Sequence, residues 1–242
     1  MEHARLLRSE APGIGAYKMF VILKAIFLDA MPGRDRFYEI INKNGLMLKP
    51  ERRRHTTNSN HNYRKYSNLI KDLVVDSPNR LWVADITYID TDEGVVYLHL
   101  LTDAWTHEII GWVLSDSLMA ANTIAALRMG IEHNKGADLS ELIHHSDRGS
   151  QYCSNAYVDM LKSINAAISM TEDYKPTDNA IAERVNGIIK QEWLYRMKRP
   201  ENLDEARRII SGIIDFYNNK RPHMSNGMKT PVQKRLEYNK TA

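Results

Sequence analysis

The sequence predicts an α/β protein in which helices flank a mixed five-stranded sheet, with a small all-α region before the sheet. Within the first 50 residues, apolar side chains recur at helical spacing. Three strand-like segments follow from Leu81, and helical and strand-like segments then alternate to give the order βββαβαβα. An order that combines hairpin-connected strands with strands separated by helices favours a mixed sheet with helices packed on its faces.

Two helices are predicted in the N-terminal region. Residues 14–30 carry apolar side chains at helical spacing, and a Pro-Gly pair ends this helix. Residues 34–44 form a second amphipathic helix, which Gly45 terminates. Two helices across a tight turn resemble a helix-turn-helix, although any helical hairpin gives a similar pattern. We therefore expect residues 1–50 to form a helix-turn-helix-like DNA-binding region. Its candidate DNA contacts are Arg34 and Arg36.

A basic linker is predicted over residues 51–78. Three consecutive arginines follow its first residue, Glu51, and a polar stretch continues the linker. Such a run is either a solvated linker or one that contacts nucleic-acid phosphates. The turn-forming pair Ser77 and Pro78 marks its end. The candidate phosphate contacts in this linker are Arg52, Arg53 and Arg54.

The segments after the linker follow from their periodicity. Residues 81–90 alternate in the manner of a strand, and with 95–101 and 108–114 they predict a three-stranded meander. The later elements are a helix over 121–133, a strand over 142–146, a helix over 155–164, a strand over 166–170, a helix over 179–197 and a last helix that starts at a capping box of Asn202 and Glu205. This is the element order of ribonuclease-H-like domains.

Charge is segregated along the chain. Residues 1–80 hold 15 basic and 8 acidic side chains, residues 81–183 hold 5 and 16, and residues 184–242 hold 13 and 6. Basic flanks attract a polyanion, whereas an acidic centre repels one unless cations neutralise it. The pattern favours a metal-dependent enzyme that acts on nucleic acid, although charges separated in sequence can also mix in space on folding.

Composition excludes several classes of protein. Cys153 is the only cysteine, which excludes an internal disulfide framework and a zinc site built from several cysteines. The apolar run near the start is short and flanked by lysines, so neither a membrane span nor a signal peptide is predicted. We therefore expect a soluble protein of a reducing compartment.

Three carboxylates stand out from their surroundings. Asp85 lies inside an apolar strand, where an ionised group is costly unless a partner or a metal accepts it. Asp147 directly follows a short strand, and Glu183 lies one turn into the longest helix. Carboxylate oxygens that converge at one edge of a sheet suit Mg²⁺ or Mn²⁺. Each acid alone has an ordinary alternative, since a strand aspartate can pair with arginine and a helix glutamate is usually solvated.

Four segments carry a resemblance to a known family: WVADITYI, HHSDRGSQYCS, PTDNAIAERVNGIIKQEW and YNNKRPHMSNGMKTP. They resemble the DDE transposases of bacterial insertion sequences, in particular the downstream-frame (OrfB-type) product, whose core is similar to retroviral integrase. The resemblance implies that Asp85, Asp147 and Glu183 are the catalytic ligands of two Mg²⁺ or Mn²⁺ ions. It further implies strand cleavage at transposon ends and strand transfer into target DNA, with Lys190 contacting the end DNA.

The domain division that follows is 1–50, 51–78, a ribonuclease-H-like catalytic core over 79–197, and a C-terminal helix with a basic tail over 198–242. Further candidate DNA contacts are Arg148, Arg184, Arg221 and His223. Arg148 could equally pair with a neighbouring acid. The implied partners are transposon-end and target DNA, further copies of the chain on that DNA, and an upstream-frame helix-turn-helix segment as partner or fusion. The implied location is the bacterial cytoplasm, in association with the nucleoid.

Two alternatives from other classes stay open. A ribonuclease-H-like nuclease would keep the acidic site but would not join DNA ends. A DNA-binding regulatory subunit would use residues 1–80 and treat the acids as structural. A regulator, however, has no need for an acidic cluster that repels DNA.

Overall fold

The computed structural model of the protein describes residues 1–48, 63–172 and 179–241. The chain divides into two compact units, one built on a sheet and one of helices. The sheet unit comprises Thr56–Gly187 and Arg199–Ile209, and the helical unit comprises Met1–His55, Ile188–Lys198 and Ile210–Ala242. No helix in the described ranges is both long enough and apolar enough to cross a membrane.

The sheet unit contains one mixed sheet of five strands. They are β1 (Leu81–Thr91), β2 (Gly94–Asp103), β3 (Ile109–Ser115), β4 (Ile143–Ser146) and β5 (Ala167–Met170). The spatial order is β3-β2-β1-β4-β5, in which β1, β2 and β3 pair antiparallel and β1, β4 and β5 pair parallel. The short β1–β2 link closes a hairpin, whereas the parallel strands are joined through helices. The predicted mixed five-stranded sheet is confirmed.

Strand β1 is buried on both faces of the sheet. Trp82 and Ala84 belong to one core cluster, whereas Leu81 and Val83 belong to a second cluster that also contains Ala182. Successive side chains of a strand point to opposite faces, so a strand covered on both sides needs a nearly continuous apolar run. This requirement makes the charged residue that follows at position 85 exceptional.

Three helices that belong wholly to the sheet unit are α4 (Ala120–His133), α5 (Ser150–Cys153) and α6 (Asn155–Ser163). α4 packs against β2 and β3, and α6 packs against β5. The approach of α4 to β3 requires a glycine, because a Cβ at Gly111 would lie 2.1 Å from the carbonyl oxygen of Ala126.

The longest predicted helix ends earlier in the structure. α7 spans Ala180–Glu192 and a separate 3₁₀ turn covers Leu194–Arg196, whereas the sequence predicts one helix over 179–197. The backbone leaves the helical region at Trp193, with φ −127° and ψ −71°. The indole of Trp193 is buried, and its Nε1 donates a hydrogen bond to the carbonyl of Glu10. Burial of this ring therefore overrides continuation of the helix, and the predicted C-terminal end is wrong.

The next helix, α8 (Leu203–Asn219), begins at the predicted capping box. The Asn202 side chain accepts a hydrogen bond from the backbone N–H of Glu205 at 3.0 Å. The Glu205 carboxylate accepts one from the backbone N–H of Glu201 at 2.5 Å. The first bond is that of a capping box, whereas the Glu205 carboxylate accepts from Glu201, the residue before the N-cap, and not from Asn202 itself.

The helical unit includes α1 (Glu2–Glu10), α2 (Ala16–Phe27), α3 (Arg34–Lys43) and α9 (Pro231–Thr241). The predicted helix pair corresponds to α2 and α3, whose Phe20 and Phe37 rings pack with centroids 5.7 Å apart. Gly45 follows α3 with φ +69°, as expected of a residue that ends a helix. Helix α1 is not predicted from the sequence, because its buried positions, Ala4 and Leu7, give little periodic signal.

Candidate active site

Asp85 lies on β1, where two donors hold its carboxylate. The backbone N–H of Ile86 donates to Oδ1 at 2.9 Å, and Nδ2 of Asn186 donates to Oδ2 at 2.6 Å. The residue is half-buried within an otherwise apolar stretch of the strand. These two hydrogen bonds offset part of the cost of an ionised group there.

Asp147 directly follows β4, which runs parallel to β1. The parallel register pairs Val83 with His145, so two further residues along each strand bring Asp85 and Asp147 to neighbouring positions. Oδ1 of Asp147 accepts a hydrogen bond from the backbone N–H of Gly149 at 2.8 Å. A Cβ at Gly149 would lie 2.9 Å from that oxygen, so the absence of a side chain leaves the space that the carboxylate occupies.

Glu183 is exposed in the first turn of α7. Two asparagines attach this part of the helix to β1. Nδ2 of Asn179 donates to the carbonyl of Ala84 at 3.1 Å, and Asn186 donates to Asp85. Asn186 follows Glu183 by three residues, so the two side chains share a face of the helix. The start of α7 therefore presents Glu183 on the side that faces Asp85.

The charges of the other two acids affect the carboxyl group of Asp85. The pKa of Asp85 is raised to about 7, mainly by burial and then by the negative charge of Asp147, with a smaller effect from Glu183. The hydrogen bonds from Ile86 and Asn186 oppose this shift. Nearby like charges raise the pKa of an acid because they disfavour its ionised form. The three acids predicted from sequence therefore lie in one region of the sheet unit.

The chemistry of this cluster fits a divalent cation. Its donor atoms are carboxylate oxygens, the ligands that Mg²⁺ and Mn²⁺ prefer, and a cation between them would relieve the repulsion that raises the pKa of Asp85. In the ranges that the structure describes, no three His, Cys, Asp or Glu side chains are arranged so that they could hold one ion. Asp147 has a larger effect on Asp85 than Glu183 does.

Two further residues of this region, Asn186 and Tyr152, are not among the site residues predicted from the sequence. Tyr152 is 2% exposed, and burial, followed by the charges of Asp85 and Asp147, raises its pKa. Its hydroxyl has no hydrogen-bond partner among the described residues. The spacing of three residues from Glu183 is a signal that could have identified Asn186. The sequence around Tyr152 gives no comparable signal for its hydroxyl.

The predicted DNA contacts near the carboxylates, which are Arg148, Arg184 and Lys190, differ in how exposed they are. Arg148 is half-buried directly after Asp147. Its charge contributes to lowering the pKa of Glu172, after the hydrogen bonds that Glu172 accepts from the Asn68 N–H and from Lys71. The two remaining contacts on α7 are Arg184, which is exposed, and Lys190, which is half-buried.

The predicted contacts in the N-terminal part are exposed where the structure describes them. Arg34 and Arg36 lie in the first turn of α3 and pair with Asp35 at 3.0 Å and with Glu39 at 2.7 Å. Exposed pairs of this kind are weak, so the guanidinium groups can exchange these partners for phosphates. Three predicted contacts, Arg52, Arg53 and Arg54, lie outside the described residues.

Arg221 and His223 are buried in the helical unit. Nε and Nη2 of Arg221 donate to both carboxylate oxygens of Glu192, at 2.8 Å and 2.7 Å. The His223 ring packs edge-on against Tyr217 with centroids 4.8 Å apart. Both side chains are buried, and Arg221 already binds a carboxylate, so neither is placed to contact a phosphate as expected. We therefore correct the expectation and assign both side chains to the core of the helical unit.

Comparison with known proteins identifies the family. Two models, both described as integrase core domain, match residues 75–176 and residues 165–231. The chain is 37% identical over 213 residues to the insertion element IS600 uncharacterized 31 kDa protein of Shigella sonnei, which covers 87% of this chain and 77% of that protein. It is 32% identical over 165 residues to the putative transposase for insertion sequence element IS986/IS6110 of Mycobacterium tuberculosis, which covers 67% of this chain and 59% of that protein.

A solved structure shares the fold. The HTLV-2 integrase catalytic core domain, determined in complex with magnesium, matches with a TM-score of 0.51 at 20% identity, over 65% of this chain and 97% of that one. This likeness confirms the predicted ribonuclease-H-like fold. The chain spans less than two thirds of the M. tuberculosis relative, but more than three quarters of the S. sonnei one. By its integrase core and its identity to these relatives, the chain belongs to the DDE transposases of bacterial insertion sequences.

Proposed function

We propose that the chain catalyses metal-dependent strand cleavage at the ends of an insertion sequence and transfer of the cut strand into target DNA. The observation that carries this proposal is the placement of the three acids: Asp85 and Asp147 lie at neighbouring positions of two parallel strands, and Glu183 lies in the first turn of the helix that Asn186 joins to Asp85. The relatives named as transposases support it. The substrates are then transposon-end DNA and target DNA.

The three acids are the proposed metal ligands. Asp85 and Asp147 would hold Mg²⁺ or Mn²⁺ between the ends of two parallel strands, with Glu183 completing the set from α7. We propose two ions per site, because paired ions can assist both the attacking and the leaving oxygen of a displacement at phosphorus. The magnesium in the HTLV-2 integrase core supports the choice of metal. Asn186 and the Gly149 N–H keep the two aspartates oriented.

The proposed reaction consists of two displacements at phosphorus. A water oxygen first attacks a phosphodiester at the end of the element, the P–O3′ bond breaks, and the departing oxygen takes up a proton to become a 3′-hydroxyl. That hydroxyl then attacks a target phosphodiester and loses its proton, while the target's own P–O3′ bond breaks and its oxygen is protonated. One site serves both steps, because the nucleophile changes but the phosphorus chemistry does not. The side chains mainly position the reactants and neutralise charge.

Partners and domain roles extend this proposal. Residues 1–50 would bind DNA through the helix pair, residues 51–78 would link them to the core over 79–197, and residues 198–242 would form the C-terminal helix and tail. The exposed arginines of α3 support the first of these roles. We also propose that the chain acts as an oligomer on nucleoid DNA, with an upstream-frame helix-turn-helix segment as partner or fusion.

A strand-transfer assay tests the proposed function. Its substrates are a pre-cleaved oligonucleotide with the element's own end sequence and a plasmid target, with Mg²⁺. We expect joined product from the unaltered chain, none from Asp85→Asn or Glu183→Gln, and normal product from Glu132→Gln, an exposed glutamate on α4. All variants should bind DNA.

Each other outcome identifies a different error. Joining retained by Asp85→Asn, or cleavage of an uncut end oligonucleotide by that variant, would refute the site assignment. If the chain hydrolyses DNA but does not join it, and the form fused to the upstream segment behaves in the same way, the protein is a nuclease. DNA binding with no reaction in either form would favour a regulatory subunit.

A further inference from the structure

A basic segment lies next to β5 in the sheet unit. We define residues 63–71 as the basic strap. From Lys65 to Lys71, exposed and half-buried side chains alternate, and the half-buried Tyr66 packs against a core cluster of the sheet. This alternation is typical of a segment that has one face on the protein and one face in solvent. Lys65 therefore points away from the core.

Hydrogen bonds attach the strap to β5. The carbonyl of Ser67 accepts a hydrogen bond from the N–H of Met170 at 3.3 Å. The N–H of Leu69 donates to Oγ of Ser169 at 2.9 Å. Both bonds involve the last two residues of β5, and Met170 pairs with Ser146 at the end of β4, so the strap lies at the strand end that Asp147 follows.

Glu172 connects the strap to the site more closely. Its carboxylate accepts hydrogen bonds from the N–H of Asn68 at 2.9 Å and from Nζ of Lys71 at 2.6 Å. The preceding residue, Thr171, donates its N–H to the carbonyl of Ser146 at 3.0 Å. Ser146 is directly followed by the second catalytic aspartate. Two hydrogen-bonded contacts, one to Glu172 and one from Thr171 to Ser146, therefore connect the strap to the residue before Asp147.

The charges on this side of the site agree with that placement. Burial and the charge of Asp147 raise the pKa of the Cys153 thiol to about 11, and the positive charges of Lys65 and Arg148 oppose the shift. The thiol therefore lies within electrostatic range of both cations and of the catalytic aspartate. Lys65 has no hydrogen-bond or ion-pair partner in the part of the chain that the structure describes.

We propose that the basic strap binds the DNA backbone next to the scissile phosphate, with Lys65 as its phosphate contact and Arg148, which follows β4, as a second cation on the same side of the site. This rests on the proposed function. A carboxylate cluster repels the phosphates on either side of the reacting one, and a cation fixed beside the cluster offsets that repulsion. A phosphate contact positions the strand without reading its sequence.

Equilibrium binding without metal tests the strap apart from catalysis. The probes are two short fluorescent duplexes of unrelated sequence, and affinity is measured over a range of salt concentrations. We expect Lys65→Ala to weaken binding of both duplexes equally and to lower the slope of log affinity against log salt by about 0.9. Lys65→Arg should retain the slope. Lys135→Ala is the matched control, since Lys135 is exposed in the same unit.

Disulfide cross-linking tests the position of the contact. In a Cys153→Ala background, Lys65→Cys should cross-link to duplexes of the element's end that carry a thiol-tethered phosphate close to the cleaved bond, and not to duplexes tethered far from it. An unchanged salt slope in Lys65→Ala, or cross-linking only at distant phosphates, would overturn the proposed role of the basic strap. Neither result would contradict the proposed function, which Mg²⁺-dependent joining tests separately. Absence of DNA binding by the unaltered chain would overturn both proposals.

Discussion

Nδ2 of Asn186 donates a hydrogen bond of 2.6 Å to Oδ2 of Asp85. This bond connects the helix that carries Glu183 to the strand that carries the first aspartate. It also opposes the rise in the pKa of Asp85 that burial and the neighbouring carboxylates cause. Asn186 therefore supports the site in two ways, because it orients one ligand and favours the charged form of that ligand.

Replacing Asn186 with alanine should weaken the response to metal. Loss of a group that orients a metal ligand typically lowers metal affinity or activity by roughly 10- to 100-fold. We therefore expect Asn186→Ala to need more Mg²⁺ for half-maximal joining and to bind Mn²⁺ more weakly in electron paramagnetic resonance titrations of the protein alone. Asn219→Ala is a control, because Asn219 is exposed and bonds only within its own helix in the described structure. An unchanged metal response in Asn186→Ala would contradict the supporting role.

A side chain at position 149 should displace the carboxylate of Asp147. The Cβ of Gly149→Ala would lie 2.9 Å from Oδ1 of Asp147 and 3.1 Å from Oε1 of Gln151. Both atoms are at the ends of flexible side chains, so they can move at little cost in stability, but the metal ligand then leaves its position. We expect joining to fall roughly 10- to 100-fold, as for a small misplacement of a reacting group. The melting temperature should change little.

A second glycine provides the control. A Cβ at Gly212, inside α8, would meet no atom within 4 Å. Gly212→Ala should therefore leave joining unchanged and raise the free energy of unfolding by about 0.5–1 kcal/mol, the usual gain for this exchange in a helix. Equal losses of activity in both variants would show that the effect at position 149 is not specific to Asp147.

Local pattern was sufficient to predict five strands, their order along the chain and a mixed sheet. The second half of β1 alternates between buried and exposed residues, and the start of α8 carries the Asn202 and Glu205 pair that is typical of a helix start. The helix over 179–197 was predicted too long, because burial of Trp193 is a tertiary effect that helical periodicity does not contain.

The candidate site was only partly accessible to sequence reasoning. The carboxylates lie in recognisable motifs, but the role of Asn186 depends on a contact across 101 residues. The sequence places Arg221 in a basic tail, which predicts a DNA contact. Sequence alone does not distinguish a cationic side chain that binds a phosphate from one that binds a carboxylate. Its partner is Glu192, 29 residues earlier in the chain.

Removing the Tyr152 hydroxyl should stabilise the protein in the absence of metal and DNA. The hydroxyl is buried and has no hydrogen-bond partner among the described residues. An unsatisfied buried hydroxyl costs about 1–3 kcal/mol, and Tyr152→Phe removes that cost while preserving the ring. We expect a higher free energy of unfolding in urea titrations. Tyr157→Phe should do the opposite, because the Tyr157 hydroxyl bonds Nε2 of His144 at 2.8 Å. Destabilisation by both variants would mean that the Tyr152 hydroxyl is satisfied in solution.

The pair of Glu192 and Arg221 should be important for the stability of the helical unit. Arg221 binds both carboxylate oxygens of Glu192, and Lys18 lies 3.4 Å from the same carboxylate. Removing Arg221 leaves the Glu192 carboxylate with only the longer contact to Lys18, and breaking a buried ion pair typically costs about 3–5 kcal/mol. We expect Arg221→Met to lower the free energy of unfolding by this order. Arg36→Met, which breaks an exposed pair in the same unit, should have little effect.

The same pair predicts how stability depends on pH. Burial favours a higher pKa for Glu192, but the hydrogen bond and charge of Arg221, together with Lys18, outweigh burial and lower the pKa below its ordinary value of 4.5. Since the folded pKa is the lower one, Glu192 contributes stability above pH 4.5, and this contribution is lost as pH falls through the folded pKa. Urea unfolding should therefore show a stability difference between the unaltered chain and Glu192→Gln that shrinks below pH 4.5. A difference that stays constant over that range would mean that the carboxylate of Glu192 is not held by Arg221.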